Sequence, residues 1–379
     1  MEKGFPGRRV ALVCALAGVL VSACGGTEPE PAGTGGGVVQ PELDKLTTTG
    51  GIPGVEALLR DGDQVRASTS GVGALADKSP MPGNGRIRAG SITKSFVATV
   101  VLQLVAEGEV ELDVPVDRYL PGVISGNGND GAKITTRQLL QHTSGLPNYF
   151  AKLASVDPET VRNQGAEPID LVRMAVQQPP LFAPGTGWTY SNTNYIVLGM
   201  LVEKVSGNSL SKELSFRVAR PLKLDDTYLP ERGDTRLPDP HPVGHVPGKS
   251  GTIDFSDFDS TMAWAAGGLV STTRDVSAFY DALLGGRILP PAQLAQMKTA
   301  VPAPSLGVDQ AGYGLGLFTA PLPCGGQYWG HEGSIFGFMT MAGVGPDGRQ
   351  AVVSANMYPV PRAAAAEIMA TFSAALCSR

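Results

Sequence analysis

Residues 89–96 read AGSITKSF, and the run from 92 to 106 continues as ITKSFVATVVLQLVA. That continuation is apolar on all sides rather than striped, the pattern of a helix buried between layers of structure. Ser91 stands where such a helix would be capped, and Gly108 where it would stop. On a helix, residues three apart share a face, so Lys94 lies within side-chain reach of Ser91. A serine hydroxyl is a weak nucleophile until a neighbour takes its proton. The helix start adds free N–H groups and a positive dipole suited to an anionic intermediate. A capping serine and a catalytic one are therefore compatible here. The motif alone decides nothing, because Ser209-x-x-Lys212 repeats it; that copy begins no buried apolar run and reads as surface.

Working outward, residues 54–70 read as two strands around the Asp61-Gly62 turn. The region from about 113 to 260 is rich in Pro and Gly and carries short helices. Thr135-x-x-Gln138 has the form of a capping box, and NTNYIVLGMLVEKVS (192–206) is a periodic helix stopped by Gly207. A strand-rich block begins near Gly267. It takes in YGLGLFTA, QYWGHEGSIFGFMTMAGV and QAVVSANM, the last two facing each other across GPDG at 345–348. A helix over 363–377 closes the chain. Strands at both ends with helices between predict an α+β fold: an antiparallel sheet flanked by N- and C-terminal helices, with an inserted, mostly helical region over 113–260.

The 379 residues are 42% hydrophobic and 17% charged, with a net charge of −5 and no basic block, which argues against a nucleic-acid partner. No long apolar run follows residue 24, so an integral membrane protein is excluded. Residues 1–23 have the form of a signal peptide, with Arg8 and Arg9 ahead of VALVCALAGVL. Val21–Cys24, VSAC, resembles a bacterial lipobox, in which Cys24 is lipidated and becomes the mature N-terminus; the alternative is a plain secretion signal. Residues 24–44, rich in Gly, Pro and Glu, read as a flexible linker, and 45–379 as the folded domain. The expected location is the cell envelope, outside the cytoplasm, with a lipid anchor as the membrane contact. Export then favours a disulfide between Cys324 and Cys377 over two free buried thiols.

No G-x-S-x-G occurs, which argues against an α/β-hydrolase. GNGNDG at 126–131 reads as a turn, since no apolar strand precedes it. His142, His241, His245 and His331 lack metal-ligand spacing, so neither a metal nor another cofactor is expected. His142 reads as structural, tying a helix end to a turn. Two further motifs give Ser91 its context: Tyr190-Ser191-Asn192 and His331-Glu332-Gly333.

In the order S-x-x-K, Y-x-N, H-x-G the chain resembles the active-site serine penicillin-recognising enzymes, in the branch of class C β-lactamases, D-alanyl-D-alanine carboxypeptidases and related esterases. RAGSITKSFVATVVLQLVAEGEVELDVPVDRYLPG, LLQHTSGLPNY, YSNTNYIVLGMLVEKVSG and GYGLGL carry the likeness, which extends from about residue 45 and is closest to secreted D-alanyl-D-alanine carboxypeptidases. The resemblance implies a nucleophile at Ser91, its proton partner at Lys94 and a general base at Tyr190. Asn192 would bind the substrate amide, and His331 would face the nucleophile where relatives often carry Lys. Gly333 would let substrate approach, the N–H groups of Ser91 and Ser334 would form the oxyanion hole, and Trp264 would wall the pocket or else sit in the core. Lys249-Ser250-Gly251 mimics a third motif but reads as a loop.

The implied activity is a serine hydrolase acting through an acyl-enzyme on D-alanyl-D-alanine-type peptides of the cell wall. The alternatives are a β-lactamase or esterase of the same fold, or a non-catalytic penicillin-binding lipoprotein. Two features weigh against a carboxypeptidase. YGLGLFTAPLPC (313–324) has no cation to hold a terminal carboxylate, and Glu332 stands where relatives often have Thr. Strand alternation should turn Glu332 away from the cleft; facing it, the residue would repel a carboxylate and favour esters, amides or amino-terminal D-peptides.

Overall fold

The computed structural model describes residues 1, 39–153, 157–249 and 251–378. The signal peptide, Cys24 and most of the linker expected at 24–44 lie outside the described residues.

The chain enters the fold earlier than residue 45. Helix α1 (Gln40–Thr48) presents Leu43 and Leu46, fully buried, and Val39 just ahead of it is buried too. Strands β1 (Gly54–Asp61) and β2 (Gln64–Gly71) form the hairpin expected around Asp61-Gly62. The remaining strands of the main sheet come more than two hundred residues later: β3 (Val301–Pro302), β4 (Gly312–Tyr313), β5 (Phe318–Pro321), β6 (Gln327–Ile335), β7 (Phe338–Val344) and β8 (Gln350–Ala355). Their order is β2-β1-β8-β7-β6-β5-β4-β3, antiparallel throughout. The N-terminal hairpin thus completes a sheet built from the C-terminal strands, with Val55 opposite Ala355.

Both faces of the sheet are covered, and the period of two along each strand divides the residues between two cores. Ala351 and Val353 of β8 join Leu43 and Leu46 of α1 and Ile368 and Phe372 of the last helix, α6 (Arg362–Cys377). Val352, between them, joins the other core, as do Leu58 and Ala342. That core is built around α2 (Thr93–Ala106), whose side chains are buried nearly all round, as its unstriped apolar pattern predicts. Around α2 stand α3 (Thr136–Leu140), entered through the predicted Thr135–Gln138 capping box, and α4 (Asn192–Ser206), which ends at a left-handed Gly207. The fold is the predicted α+β arrangement.

The late block differs from its sequence pattern in two respects. QYWGHEGSIFGFMTMAGV is two strands, since the chain reverses at Phe336-Gly337 with Gly337 at φ +83°. A Phe-Gly turn between apolar residues carries no polar turn signal. The block also contains a helix, α5 (Thr273–Leu284), capped by Thr272. Cys324 and Cys377 form a disulfide, tying the end of α6 to the turn between β5 and β6. Among the described residues no helix is long and apolar enough to cross a membrane.

Candidate active site

The nucleophile candidate sits on a turn, not on a cap. Gly90–Ile92 is a single 3-10 turn that runs into α2, and Ser91 makes no capping hydrogen bond. The turn depends on Gly90, whose φ of +54° suits glycine and whose missing side chain leaves room for β6. A Cβ there would lie 2.7 Å from the main-chain nitrogen of Ser334. Thr93 Oγ1 donates to the carbonyl of Gly90 (2.7 Å) and accepts from the N–H of Leu269 (3.1 Å), while Ala89 N–H donates to Leu269 O (2.8 Å). The turn is therefore fastened to the chain beyond the helical insertion. Gly333 serves the same contact from the other side: its Cβ would fall 2.0 Å from the carbonyl oxygen of Ala89. The sequence reading assigns Gly333 to substrate approach; the structure shows that its missing side chain makes room for the nucleophile's own turn. The two nitrogens expected to form the oxyanion hole, those of Ser91 and Ser334, are brought together by this packing.

Lys94 lies fully buried one turn further on. Its Nζ is 2.9 Å from Ser91 Oγ, 2.8 Å from Asn192 Oδ1 and 2.6 Å from the carbonyl of Ala266. Burial holds its pKa well below the ordinary lysine value, with the charge of Glu332 opposing more weakly. All three oxygens can accept from Nζ, while burial favours the neutral amine over the charged one. Asn192, expected to bind the substrate amide, lines the cleft while its carbonyl oxygen is committed to Lys94.

Tyr190 stands beside the same hydroxyl; burial pushes its pKa well above that of free tyrosine, and Ser91 opposes the rise more weakly. Its ring lies on His142, centroids 4.4 Å apart, and Lys94 Nζ is 4.8 Å from its centroid. His142 is structural, as expected. Its Nδ1 accepts from Asn194 Nδ2 (2.9 Å) and from the Ser191 N–H (3.3 Å), which leaves the proton on Nε2.

His331 is held by its own chain. Nε2 accepts from the Tyr313 hydroxyl at 2.9 Å, and Nδ1 faces the carbonyl of Glu332, so Nδ1 bears the proton. Burial first, and then the charge of Lys94, push its pKa down to about 3. It stays neutral and does not replace the lysine cation that relatives often place there.

Ser91, Tyr190, Asn192, His331 and Ser334 open onto one cavity of about 350 Å³, with Leu306, Phe318 and Phe336 among its apolar walls. Trp264 is not among the lining residues. It is packed in the core against Gly199 of α4, where a Cβ would come 2.7 Å from the indole. Its segment still matters, because the short helix Trp264–Gly267 presents the Ala266 carbonyl to Lys94. Glu332 does line the cavity, contrary to expectation. It shares a strand face with Ser334, whose Oγ donates to Glu332 Oε1 at 2.9 Å; β5 pairs with β6 only as far as Gly330, and beyond it residues of both faces line the cavity. Sequence reasoning missed Tyr313, the partner of His331, although it lies in the quoted GYGLGL. Ala266 left no signal, because any residue supplies a carbonyl.

The rival motifs stand elsewhere. Ser209 caps the short helix Leu210–Leu214. Lys249 lies at the turn of the hairpin formed by His245–Gly248 and Gly251–Asp254, its side chain 95% exposed. Among the described residues no three His, Cys, Asp or Glu side chains cluster as a metal site requires.

A serine and a phenol at one cavity, with a buried lysine amine behind the serine, form a constellation for acyl transfer. Known proteins carry the same pattern. A family model described as Beta-lactamase matches residues 39–372. A D-stereospecific amidohydrolase from a Streptomyces species is 38% identical with a TM-score of 0.81, over 88% of this chain and 97% of that one. The D-amino acid amidase from Ochrobactrum anthropi, solved with D-phenylalanine, is 27% identical with a TM-score of 0.80, over 90% and 99%. The putative penicillin-binding protein PbpX of Bacillus subtilis is 26% identical over 80% of this chain and 70% of its own length. Three further curated relatives are spanned by the chain over only 36% to 56% of their own length.

Proposed function

We propose, from the premise that this chain belongs to the beta-lactamase family and is a serine hydrolase, that it cleaves amides of D-amino acids through an acyl-enzyme on Ser91. One observation carries the reading: the buried Lys94 amine is positioned between two acceptors and the Ser91 hydroxyl. Ser91 Oγ attacks the amide carbonyl and its proton passes to Lys94 Nζ. The N–H groups of Ser91 and Ser334 take up the developing oxyanion. Tyr190, kept a phenol by burial, hands its proton to the leaving nitrogen, and Lys94 passes the proton it took to the Tyr190 oxygen, so that both groups return to their starting state with Ser91 acylated and the amine released. Water then attacks the ester by the same route in reverse. The sequence pattern assigned the base to Tyr190; burial opposes either charge, so the neutral pair is favoured and the first proton goes to Lys94. The D-amino-acid class rests on likeness to the Streptomyces amidohydrolase and the Ochrobactrum amidase.

D-alanyl-D-alanine carboxypeptidase action is a second reading, supported by likeness to a penicillin-binding protein. Among the described residues no Arg or Lys lines the cavity to receive a terminal carboxylate, and His331 is neutral, which favours amides over that substrate. Intact-mass spectrometry with a fluorescent penicillin and with D-phenylalanine amide tests the shared step. Wild type should form an adduct with the penicillin and turn over the amide, and Ser91→Ala should do neither. A wild-type protein that gives neither adduct nor hydrolysis sinks the enzyme reading.

We further propose export with a lipid anchor at Cys24. Supporting it are the lipobox-like Val21–Cys24 and a disulfide of the kind formed in oxidising compartments. Cys24→Ala should move the protein from the membrane fraction to the soluble one; an unchanged distribution refutes the anchor.

A further inference from the structure

A buried arginine stands three residues ahead of the nucleophile. Arg88 lies on the short strand Ile87–Arg88, paired with Val270–Ser271, and is 1% exposed. Its hydrogen-bond acceptors are carbonyls, not carboxylates. Nε donates to Ser256 O at 2.9 Å and Nη2 to Thr235 O at 2.6 Å, while Nη1 is buried without a partner among the described residues. Burial lowers its pKa to about 10, which still leaves a cation at neutral pH. Taking a cation out of water without pairing it is costly, and an apolar side chain of similar volume would avoid that cost. Filling space therefore does not account for the residue.

What Arg88 holds does account for it. Both carbonyls belong to the helical insertion, and Thr235 O also accepts the N–H of Phe258 at 2.9 Å. The guanidinium carbon lies 4.2 Å from the centroid of the Phe258 ring, a cation–π stack. Phe258 meets the ring of Phe336 edge-on, with centroids 6.2 Å apart, and Phe255 packs on the same ring at 5.2 Å. Phe336 stands in the turn between β6 and β7, two residues past Ser334. The backbones close up beside it, since a Cβ on Gly337 would lie 2.7 Å from Cα of Gly244.

These contacts form a closed ring. It runs from Ser91 back along the chain to Arg88, across the guanidinium to Phe258 and Phe336, and along the turn to Ser334. It closes where Gly90 meets the Ser334 nitrogen. That main-chain contact limits how near the two nitrogens come, and the attraction on the far side of the ring keeps them there. A planar guanidinium held by two carbonyls and a ring face has one orientation, which a flexible apolar chain would not have.

We propose that Arg88 is a positioning residue for acylation: bound to the insertion and stacked on Phe258, it braces the β6–β7 turn against the nucleophile turn and so fixes the separation of the Ser91 and Ser334 N–H groups. This inference rests on the acyl-enzyme reading above and adds a residue that acts through the oxyanion donors without lining the cavity.

Stopped-flow labelling with a fluorescent penicillin separates the limiting acylation rate from the binding constant, with rates taken per folded molecule as read from urea unfolding. Arg88→Met should lower the limiting rate about 30- to 300-fold and leave the binding constant within about threefold. Phenylboronic acid, whose tetrahedral adduct on Ser91 sets an oxygen between the two nitrogens, should weaken by a similar factor. Phe258→Leu, which keeps both carbonyl bonds, should show a smaller loss of the same kind, and adding it to Arg88→Met should cost little more. Arg88→Lys keeps the charge but not the fork and should recover only part of the rate. A wild-type limiting rate in Phe258→Leu, or losses that simply multiply in the double variant, would overturn the proposal; the first of these decides even if Arg88→Met does not fold. A wild-type protein that forms no penicillin adduct would overturn the acyl-enzyme reading and this inference with it, whereas a labelled wild type with unchanged variants overturns this inference alone.

Discussion

Gly333 on β6 and the carbonyl of Ala89 beside the nucleophile compete for one space: a Cβ on the glycine would stand 2.0 Å from that oxygen. The strand backbone thus bears directly on the turn that carries Ser91, and at this point the nitrogens proposed as oxyanion donors are positioned by main-chain contact rather than by side chains. Gly333→Ala should push the two apart. The expected result is a loss of about 1–3 kcal/mol or more of stability from overpacking, and at least a 100-fold fall in penicillin acylation from misplacement of about 1 Å. Gly207→Ala is the control: its φ of +72° carries strain, but its Cβ meets nothing within 4 Å. It should cost about 1 kcal/mol and leave acylation unchanged. Thermal unfolding and stopped-flow labelling read both.

Lys94 sets a pH dependence whose sign follows from burial. With Lys94 taking the Ser91 proton as proposed, the neutral amine is the active form, and burial holds its pKa well below 10.5. Acylation should therefore be maintained far below the ordinary lysine range and fall only as acid protonates Nζ. Lys94→Arg, which cannot deprotonate, should lose about 100- to 10,000-fold. A kcat/KM profile from pH 5 to 10 checks this; a rate still climbing tenfold per unit at pH 9–10 contradicts it.

Glu56 carries a second pH effect, on stability. It is buried on β1, accepts the N–H of Asn84 at 2.7 Å, and burial raises its pKa to about 7 from 4.5. Between those values the folded state holds more protons than the unfolded one, so the stabilisation is full below pH 4.5 and is lost as pH rises through 7. The change is on the order of 3 kcal/mol. Glu56→Gln should remove this slope and be the more stable protein at pH 8. Urea unfolding at pH 5 and pH 8 measures it; parallel curves for the two proteins would refute it.

The disulfide closes a loop with a sequence separation of 53. Loop-closure entropy puts its contribution at about 4 kcal/mol. The double variant Cys324→Ser, Cys377→Ser should unfold at a markedly lower temperature and still be labelled at Ser91 under native conditions. Calorimetry and penicillin labelling separate the two effects.

Much of this protein was determined by local sequence alone. The all-round apolar run after Ser91 requires a buried helix, Asp61-Gly62 a hairpin, Thr135-x-x-Gln138 a capped helix start, and Gly207 a helix stop. Each depends on neighbours within a few residues, where period and turn chemistry act directly. Ser91, Lys94, Tyr190, Asn192 and His331 were legible as motifs for the same reason. Tertiary structure decided what those side chains meet. Lys94 bonds the carbonyl of Ala266, 172 residues away, and main-chain atoms leave no mark in the sequence. His331 is neutral because burial, which no spacing reports, outweighs hydration. Glu332 lines the cavity where β6 has lost its β5 neighbour beyond Gly330, although alternation alone would turn it away. Gly333 and Gly90 are glycines because the register of the sheet presses β6 against the nucleophile turn, a packing set by the whole fold and by no segment within it.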